Sequence, residues 1–365
     1  MRRARVVHVV VAGEVGGAER MLTNLASRPA ATGADHAVAL LTPNRALATL
    51  FEEAGLRVHD RGRVREGPLP FLWQTFGPAD AAWIASVLRE EGADVAHLHT
   101  LGSQVVGTRG AIQAGARVLR TEHSTRAFDD PTCWPFSRWS LRRTDASVAI
   151  SDHVRSAATA RAPWAADKMR VVPNGVDTTR FAPRQTPRAP QYTFVLVGRL
   201  EPRKGVDLAI DALARVPGAR LDVVGDGKQR GPLQVLTRSR GVSDRVRFLG
   251  HVDDTRALVA ASDAALCTSR SEGLGIALLE AMAMERPVVG FSVGGVPEIV
   301  RDEHTGLLSR PGDVDALAVR MRYAARSPDR MRALGETARR RVVECFSVEA
   351  MRANYAQVYA GLARG

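Results

Sequence analysis

Cysteine is scarce: Cys133, Cys267 and Cys345 are the only three, and they stand far apart. No zinc spacing and no disulfide framework can be built from them, so the expected setting is a reducing cytosol. Lysine is nearly missing as well. Of 51 basic residues only Lys168, Lys204 and Lys228 are lysines, so the net charge of +12 is carried by arginine along the whole chain. That excess forms no long basic block and accompanies no nucleic-acid-binding motif, which argues against a nucleic-acid partner. Contact with an anionic membrane surface or a phosphorylated acceptor stays open. No apolar run approaches the roughly 18 residues of a membrane span. The start, Met1-Arg2-Arg3-Ala4-Arg5 followed by Val6–Ala12, has the charge of a leader peptide. Its apolar run holds His8 and enters a glycine loop instead of a cleavage site, so it reads as a first strand.

What is present is a long alternation of short apolar strands and helical stretches. The chain has 365 residues, 45% of them apolar, which suits two domains. The first half holds strands near Arg5–Val11, His36–Leu41, Val95–Leu98, Val118–Thr121, Ser147–Ile150 and Met169–Val172. The second holds strands near Thr193–Val197, Arg220–Val224, Val246–Leu249, Ala264–Thr268 and Val288–Gly290. Continuous Val/Leu runs joined by helices predict parallel sheets covered on both faces. Pro183, Pro187 and Pro190 punctuate a polar stretch, Phe181–Pro190, that reads as a linker. The expected organisation is a domain over 1–181, a second over 182–347, and a last helix over 348–365 that crosses back to the first. Ligands of such sheets bind beyond the carboxyl ends of the strands.

The segment from Glu272 to Glu280 carries the most chemistry. Glu272-Gly273-Leu274-Gly275-Ile276 offers a loop carboxylate and an approachable backbone just ahead of a helix start. The run Ile276–Met284 is apolar except for Glu280, which predicts a helix buried all round. This set suits a sugar nucleotide: Glu272 for sugar hydroxyls, the helix start for the diphosphate, Glu280 for the ribose. The plainer reading is two unrelated glutamates. Arg199 and Lys204 flank a turn after the strand Phe194–Val197, where they grip phosphate or are ordinary surface charge. Gly13, Gly16 and Gly17 follow the first strand as a weak anion-loop signal. The second strand ends without the acid a dinucleotide site needs, which disfavours NAD. His123 follows a strand end and is either a ligand contact or a satisfied structural histidine. His97 and His99 point the same way on one strand, but no third ligand is visible, so no metal site is assigned. The pairs Asp129-Asp130 and Asp253-Asp254 read as turn residues. Arg63, Arg65, Phe71, Trp73 and Phe76 form either core or an amphipathic patch for a lipid-linked or sugar acceptor.

In this order and at these distances, the motifs resemble those of the retaining GT-B glycosyltransferases of family GT4. They are Gly16-Gly17-Ala18-Glu19, His123, Val172-Pro173-Asn174-Gly175-Val176-Asp177, Gly198-Arg199 with Lys204-Gly205, Glu272 through Glu280, Gly294-Gly295-Val296-Pro297-Glu298, and a turn at Gly306-Leu307-Leu308. The resemblance implies an α/β fold of two Rossmann-like domains facing across a cleft. It implies a nucleoside-diphosphate-sugar donor, with UDP-sugars ahead of GDP-mannose, and an unknown hydroxyl acceptor. Arg199 and Lys204 would bind the diphosphate. Glu272 and the amides of Gly273, Leu274, Gly275 and Ile276 would hold the donor sugar, and Glu280 the ribose. The region of Val252 would hold the base, His123 would face the sugar, and Gly16 and Gly17 would close over the phosphates. Neither a metal nor a cofactor is implied. A same-face substitution follows from the family, since no carboxylate pair suits a double displacement. A sugar-nucleotide epimerase, a phosphorylase and a non-catalytic sugar-nucleotide sensor remain as competing readings.

Overall fold

A computed structural model describes residues 2–11, 16–42, 44–61, 77–184 and 190–363. The aromatic stretch from Arg63 to Phe76 and residues 185–189 of the proline-rich stretch lie outside the described residues. The chain divides into two compact units, residues 1–175 with 348–365, and residues 176–347. The division thus falls ahead of the proline-rich stretch, and the last helix belongs to the first unit.

The first unit carries a parallel sheet of β1 (Ala4–Val10), β2 (Ala34–Leu40), β3 (Arg57–Asp60), β4 (Val95–Leu98), β5 (Arg117–Glu122), β6 (Ala146–Ala149) and β7 (Met169–Val171), in the order β3-β2-β1-β4-β5-β6-β7. The second carries β8 (Tyr192–Val197), β9 (Ala219–Val224), β10 (Val246–Gly250), β11 (Ala264–Cys267), β12 (Val288–Phe291) and β13 (Gly306–Ser309), in the order β10-β9-β8-β11-β12-β13. Two strands differ from the sequence reading. β3, Arg-Val-His-Asp, has no apolar run, and β13 was expected as a turn. Both are edge strands, which need an apolar run less than central ones do. In each sheet the order reverses between a first strand and its fourth, at β1/β4 and β8/β11. The crevice at such a reversal is where doubly wound sheets take ligands.

Both faces of the first sheet are dry. Val7, Val9, Ala37, Ala39, Ala96 and Leu98 pack on Ile84, Val87 and Leu88 of the helix Pro78–Glu90. Val6, Val95, Leu119 and Val148 pack on Met351, Tyr355, Val358 and Tyr359 of the helix Val348–Ala363. This second face is not purely apolar. His8, His36 and His97 sit in it at 0%, 6% and 0% exposure. The parallel register opposes His8 to His97, and Tyr359 Oη lies 3.0 Å from His97 Nδ1. Arg120 and Glu122 form an ion pair at 2.7 Å with both side chains buried. The second unit has one apolar core, from Phe194, Leu196, Leu221 and Leu266 to Leu317 and Met321.

The buried histidines should weaken the first unit in acid. Burial lowers His8, His97 and His99 well below 6.5, and His36 and His123 to about 4. The unfolded chain therefore takes up these protons first. The stabilisation is fully present above about pH 6.5 and is lost as pH falls toward 4, by up to about 1.4 kcal/mol per pH unit for each histidine. His251 and His304 of the second unit are exposed. Hydrogen exchange at pH 7.0 and pH 5.0 should show loosening in peptides of the first unit while the second stays protected. Equal loss in both units would remove the histidines as the cause.

Candidate active site

In the second unit the candidate groups gather around the β8/β11 reversal. The chain leaves β8 through Gly198 and Arg199 and makes a short turn of 3-10 helix, Pro202–Lys204. It leaves β11 through Thr268 and Ser269 and reaches Glu272 and the helix Ile276–Ala283. The two exits are tied together. Thr268 Oγ1 donates to Lys204 O at 3.2 Å, Arg270 N–H to Arg203 O at 2.8 Å, and Arg270 Nη1 to Pro202 O at 2.7 Å and to Asp207 Oδ1 at 2.9 Å. Across this seam Lys204 Nζ donates to Glu272 Oε2 at 2.7 Å, and Ser269 Oγ donates to the same oxygen at 3.1 Å. Lys204 and Glu272 keep 19% and 12% of their side-chain surface exposed, so the pair is shielded yet reachable. Lys204, Thr268, Ser269, Glu272, Gly275 and Ile276 line a small cleft there.

The Glu272 loop is held from behind by two glycines. Gly294 has φ +55°, and a Cβ on it would stand 2.0 Å from Glu272 O. Gly295 N–H donates to that same carbonyl at 3.0 Å. The spacing of Gly294-Gly295 from Glu272 therefore reflects backbone contact. Ahead of the helix, Leu278 and Leu279 N–H close the first turn on Gly275 O at 3.0 and 3.1 Å. The positive helix end lies beside the ion pair in sequence and in space. Burial raises the Cys267 thiol to about 11, which removes it as a nucleophile.

One expectation changes here. The helix Ile276–Ala283 is not buried all round: Leu278, Leu279, Ala281, Met282 and Ala283 are buried, whereas Ile276, Ala277 and Glu280 are half-buried. Glu280 thus keeps some exposure, one turn beyond Ile276 of the cleft. Arg199 is exposed, with Nη1 3.2 Å from Glu201 Oε1. Val252 is half-buried in the loop after β10. Asp130 and Asp254 are engaged as turn groups, with Thr132 N–H donating to Asp130 Oδ1 at 2.9 Å and Arg256 N–H to Asp254 Oδ1 at 3.1 Å.

In the first unit, Gly16 caps the helix Gly17–Ala26, and its N–H donates to Glu19 Oε2 at 2.9 Å. That amide is already spent on a carboxylate, which the sequence reading missed. The serine-or-threonine capping pattern is absent, although the glutamate stands at the third helical position. His123 follows β5, half-buried, with Nε2 buried and without a hydrogen-bond partner among the described residues. With its pKa lowered to about 4 by burial it is a neutral imidazole at pH 7. The third ligand missing beside His97 and His99 is supplied by β1: nitrogens of His8, His97 and His99 lie within 4.8 Å of one another. Sequence alternation reveals two of these histidines; only strand pairing brings in the third.

Residues 177–341 match the family described as Glycosyl transferases group 1, and residues 15–180 match Glycosyltransferase Family 4. The GDP-mannose-dependent alpha-(1-6)-phosphatidylinositol monomannoside mannosyltransferase of Mycobacterium tuberculosis is 34% identical over 70% of this chain and 73% of its own. The chain belongs to the family 4 glycosyltransferases. The glycogen synthase of Mycobacterium tuberculosis is 34% identical over 62% of this chain, a stretch that spans 56% of that enzyme. HepE of Anabaena, solved in complex with UDP, superposes with a TM-score of 0.83 at 23% identity, over 98% of this chain and 100% of its own. The fold of this glycosyltransferase is GT-B, with two parallel-sheet Rossmann-like units.

The contact behind Glu272 yields a test. Gly294→Ala should destabilise the protein by about 2 kcal/mol or more, from backbone strain plus the clash with Glu272 O. Gly312→Ala is the control: φ is +77°, but a Cβ there meets nothing within 4 Å. It should cost only about 1 kcal/mol. Urea unfolding compares the two; equal losses would dismiss the role of the Gly294 contact.

Proposed function

We propose that this glycosyltransferase is a retaining, metal-independent hexosyltransferase that moves a sugar from a nucleoside-diphosphate sugar to a hydroxyl acceptor. The observation that carries the reading is the Lys204–Glu272 pair at the β8/β11 reversal, beside a helix N-terminus. Breaking the bond from the anomeric carbon to the diphosphate leaves negative charge on the departing oxygen. Arg199, Lys204 and the helix end supply the compensating positive field. Without ligand, Lys204 rests on Glu272. On donor binding its mobile ammonium transfers to the diphosphate, and Glu272 is released to accept hydrogen bonds from sugar hydroxyls. The amides of Gly273–Ile276 support the donor, Glu280 takes ribose hydroxyls, and the loop at Val252 takes the base.

His123, neutral and with a free nitrogen, is a positioning group for a sugar hydroxyl. It fits this role better than that of a base for attack from the opposite face, because a pKa of about 4 makes it a weak base. The departing phosphate takes the acceptor proton as the new bond forms on the same face. A UDP-sugar is the first donor to test. GDP-mannose is the second, because the mannosyltransferase relative is named for its dependence on it. Nothing in the site favours an epimerase or a sensor.

A thermal-shift screen over nucleoside diphosphates and their sugars identifies the donor, since a ligand stabilises by RT ln(1 + [L]/Kd). With that donor, Arg199→Ala and Lys204→Ala should each lower turnover by about 10²-fold or more, while EDTA leaves the wild type active. Near-normal turnover in both variants would refute the phosphate role. Proton NMR of the product should show the donor's anomeric configuration kept. A β-linked product from an α-configured donor would refute retention.

A further inference from the structure

A polar cluster that none of these roles uses lies in the first unit, beneath the helix Val348–Ala363. It holds two hydrogen-bonded chains. One joins Tyr359 Oη, His97, Thr121 Oγ1 and Tyr355 Oη at 3.0, 2.8 and 2.9 Å, with a hydroxyl at each end. The other runs from Thr32 Oγ1 to His36 Nε2 at 2.8 Å, from His36 Nδ1 to His8 Nε2 at 2.9 Å, and from His8 Nδ1 to His99 Nε2 at 2.8 Å. It stops at His99 Nδ1, which is buried and has no hydrogen-bond partner among the described residues. A metal bound by His8, His97 and His99 would have to break these bonds, since both nitrogens of His8 and of His97 are in use.

The open end has a definite polarity. Each neutral imidazole carries one ring proton, so a chain of neutral rings must donate in one direction throughout. At the far end Thr32 Oγ1 lies 3.2 Å from Pro29 O, to which its hydroxyl donates. Thr32 then accepts from His36 Nε2–H, His36 Nδ1 accepts from His8 Nε2–H, and His8 Nδ1 accepts from His99 Nε2–H. His99 Nδ1 is left as a bare lone pair. The opposite direction would strand an N–H at that position. Buried N–H groups without partners are rarer than under-used acceptors. His99 follows β4 at the β1/β4 reversal, the edge where a sheet of this kind receives ligands. Its ring centroid is 5.9 Å from that of His123, whose Nε2 also lacks a partner. A group that meets this lone pair must donate a hydrogen bond without bringing charge into a buried, neutral environment. A hydroxyl does so; a phosphate, rich in acceptors, does not.

We propose that His99 is a further substrate-binding residue, whose Nδ1 accepts a hydrogen bond from a substrate hydroxyl at the β1/β4 reversal and is held in that tautomer by His8, His36 and Thr32. This rests on the glycosyltransferase reading above. The test uses the full chain. Histidine-selective ¹⁵N NMR, with His99 identified by signal loss in His99→Asn, should show the Nε2–H tautomer; an Nδ1–H tautomer would overturn the proposal. Release of the nucleoside diphosphate from UDP-glucose and GDP-mannose measures function. His99→Phe should lower kcat/KM about 10- to 100-fold, as expected for a lost hydrogen bond to a buried group. His99→Asn keeps an acceptor near the Nδ1 position but gives up the bond to His8, and should recover most of the activity. His99→Gln keeps the bond to His8 but loses the Nδ1 acceptor, and should stay impaired; it also serves where the Phe variant fails to fold. A purely structural histidine predicts the reverse order, Gln active and Asn impaired, and that order would overturn the proposal. An active wild type with all three variants unimpaired overturns it alone. A wild type that consumes no nucleotide sugar overturns the glycosyltransferase reading together with it.

Discussion

The parallel pairing of β8 with β11 is the constraint on which the candidate chemistry depends. These strands are not consecutive; two strands and several helices separate them in the chain. Their pairing sets the exits to Lys204 and to Glu272 side by side, and a seam of backbone and arginine hydrogen bonds then ties the exits together. Without that seam the 2.7 Å contact between Lys204 and Glu272 would be an ordinary pair of long side chains, losing entropy to hold one geometry. Anchored on both sides, the pair is organised before any ligand arrives. Preorganisation of this kind makes a charged group effective, because the cost of orienting it is met during folding.

The two units handle polarity in opposite ways. The second concentrates charge at its strand ends and keeps a dry core of Phe194, Leu196, Leu221 and Leu266. The first buries neutral polar groups inside the sheet face itself. His8, His36 and His97 are tolerated there because hydroxyls of Thr32, Thr121 and Tyr359 and neighbouring rings satisfy them, with Tyr355 Oη in turn bonded to Thr121 Oγ1, and because burial keeps them uncharged. The helix Val348–Ala363 supplies two of those hydroxyls, so it completes a polar network as well as an apolar core. Arg120 and Glu122 add a buried ion pair next to His123, with Arg120 Nη1 donating to Ser137 O at 2.9 Å and Gln104 Nε2 to Glu122 Oε2 at 3.1 Å.

Much of this was legible in the residues. The central strands announce themselves as Val/Leu runs because they are covered on both faces, and Gly294-Gly295 and Glu272 were visible as a pattern. The edge strands β3 and β13 were not, since Arg57–Asp60 has no apolar run and Gly306–Ser309 begins with a turn-forming glycine. The capping of Gly16 by Glu19 and the half-burial of Glu280 were also hidden, because both depend on where a helix meets its neighbours. The aromatic stretch from Arg63 to Phe76 keeps its two sequence readings.

By itself the sequence determined the alternation of strands and helices, the family, and the residue types from which a nucleotide-sugar site is built. Those properties are local: they follow from periodicity, from backbone demands on glycine, and from the order of motifs. Tertiary structure alone decided which of those residues meet. Strand order brings Lys204 to Glu272 and His8 to His97 and His99, across separations of 68, 89 and 91 residues. Parallel pairing is long-range, since each neighbour is reached only after a helical crossover. Hence the partners of a side chain, and with them the tautomer of His99, are settled only when the sheet has assembled.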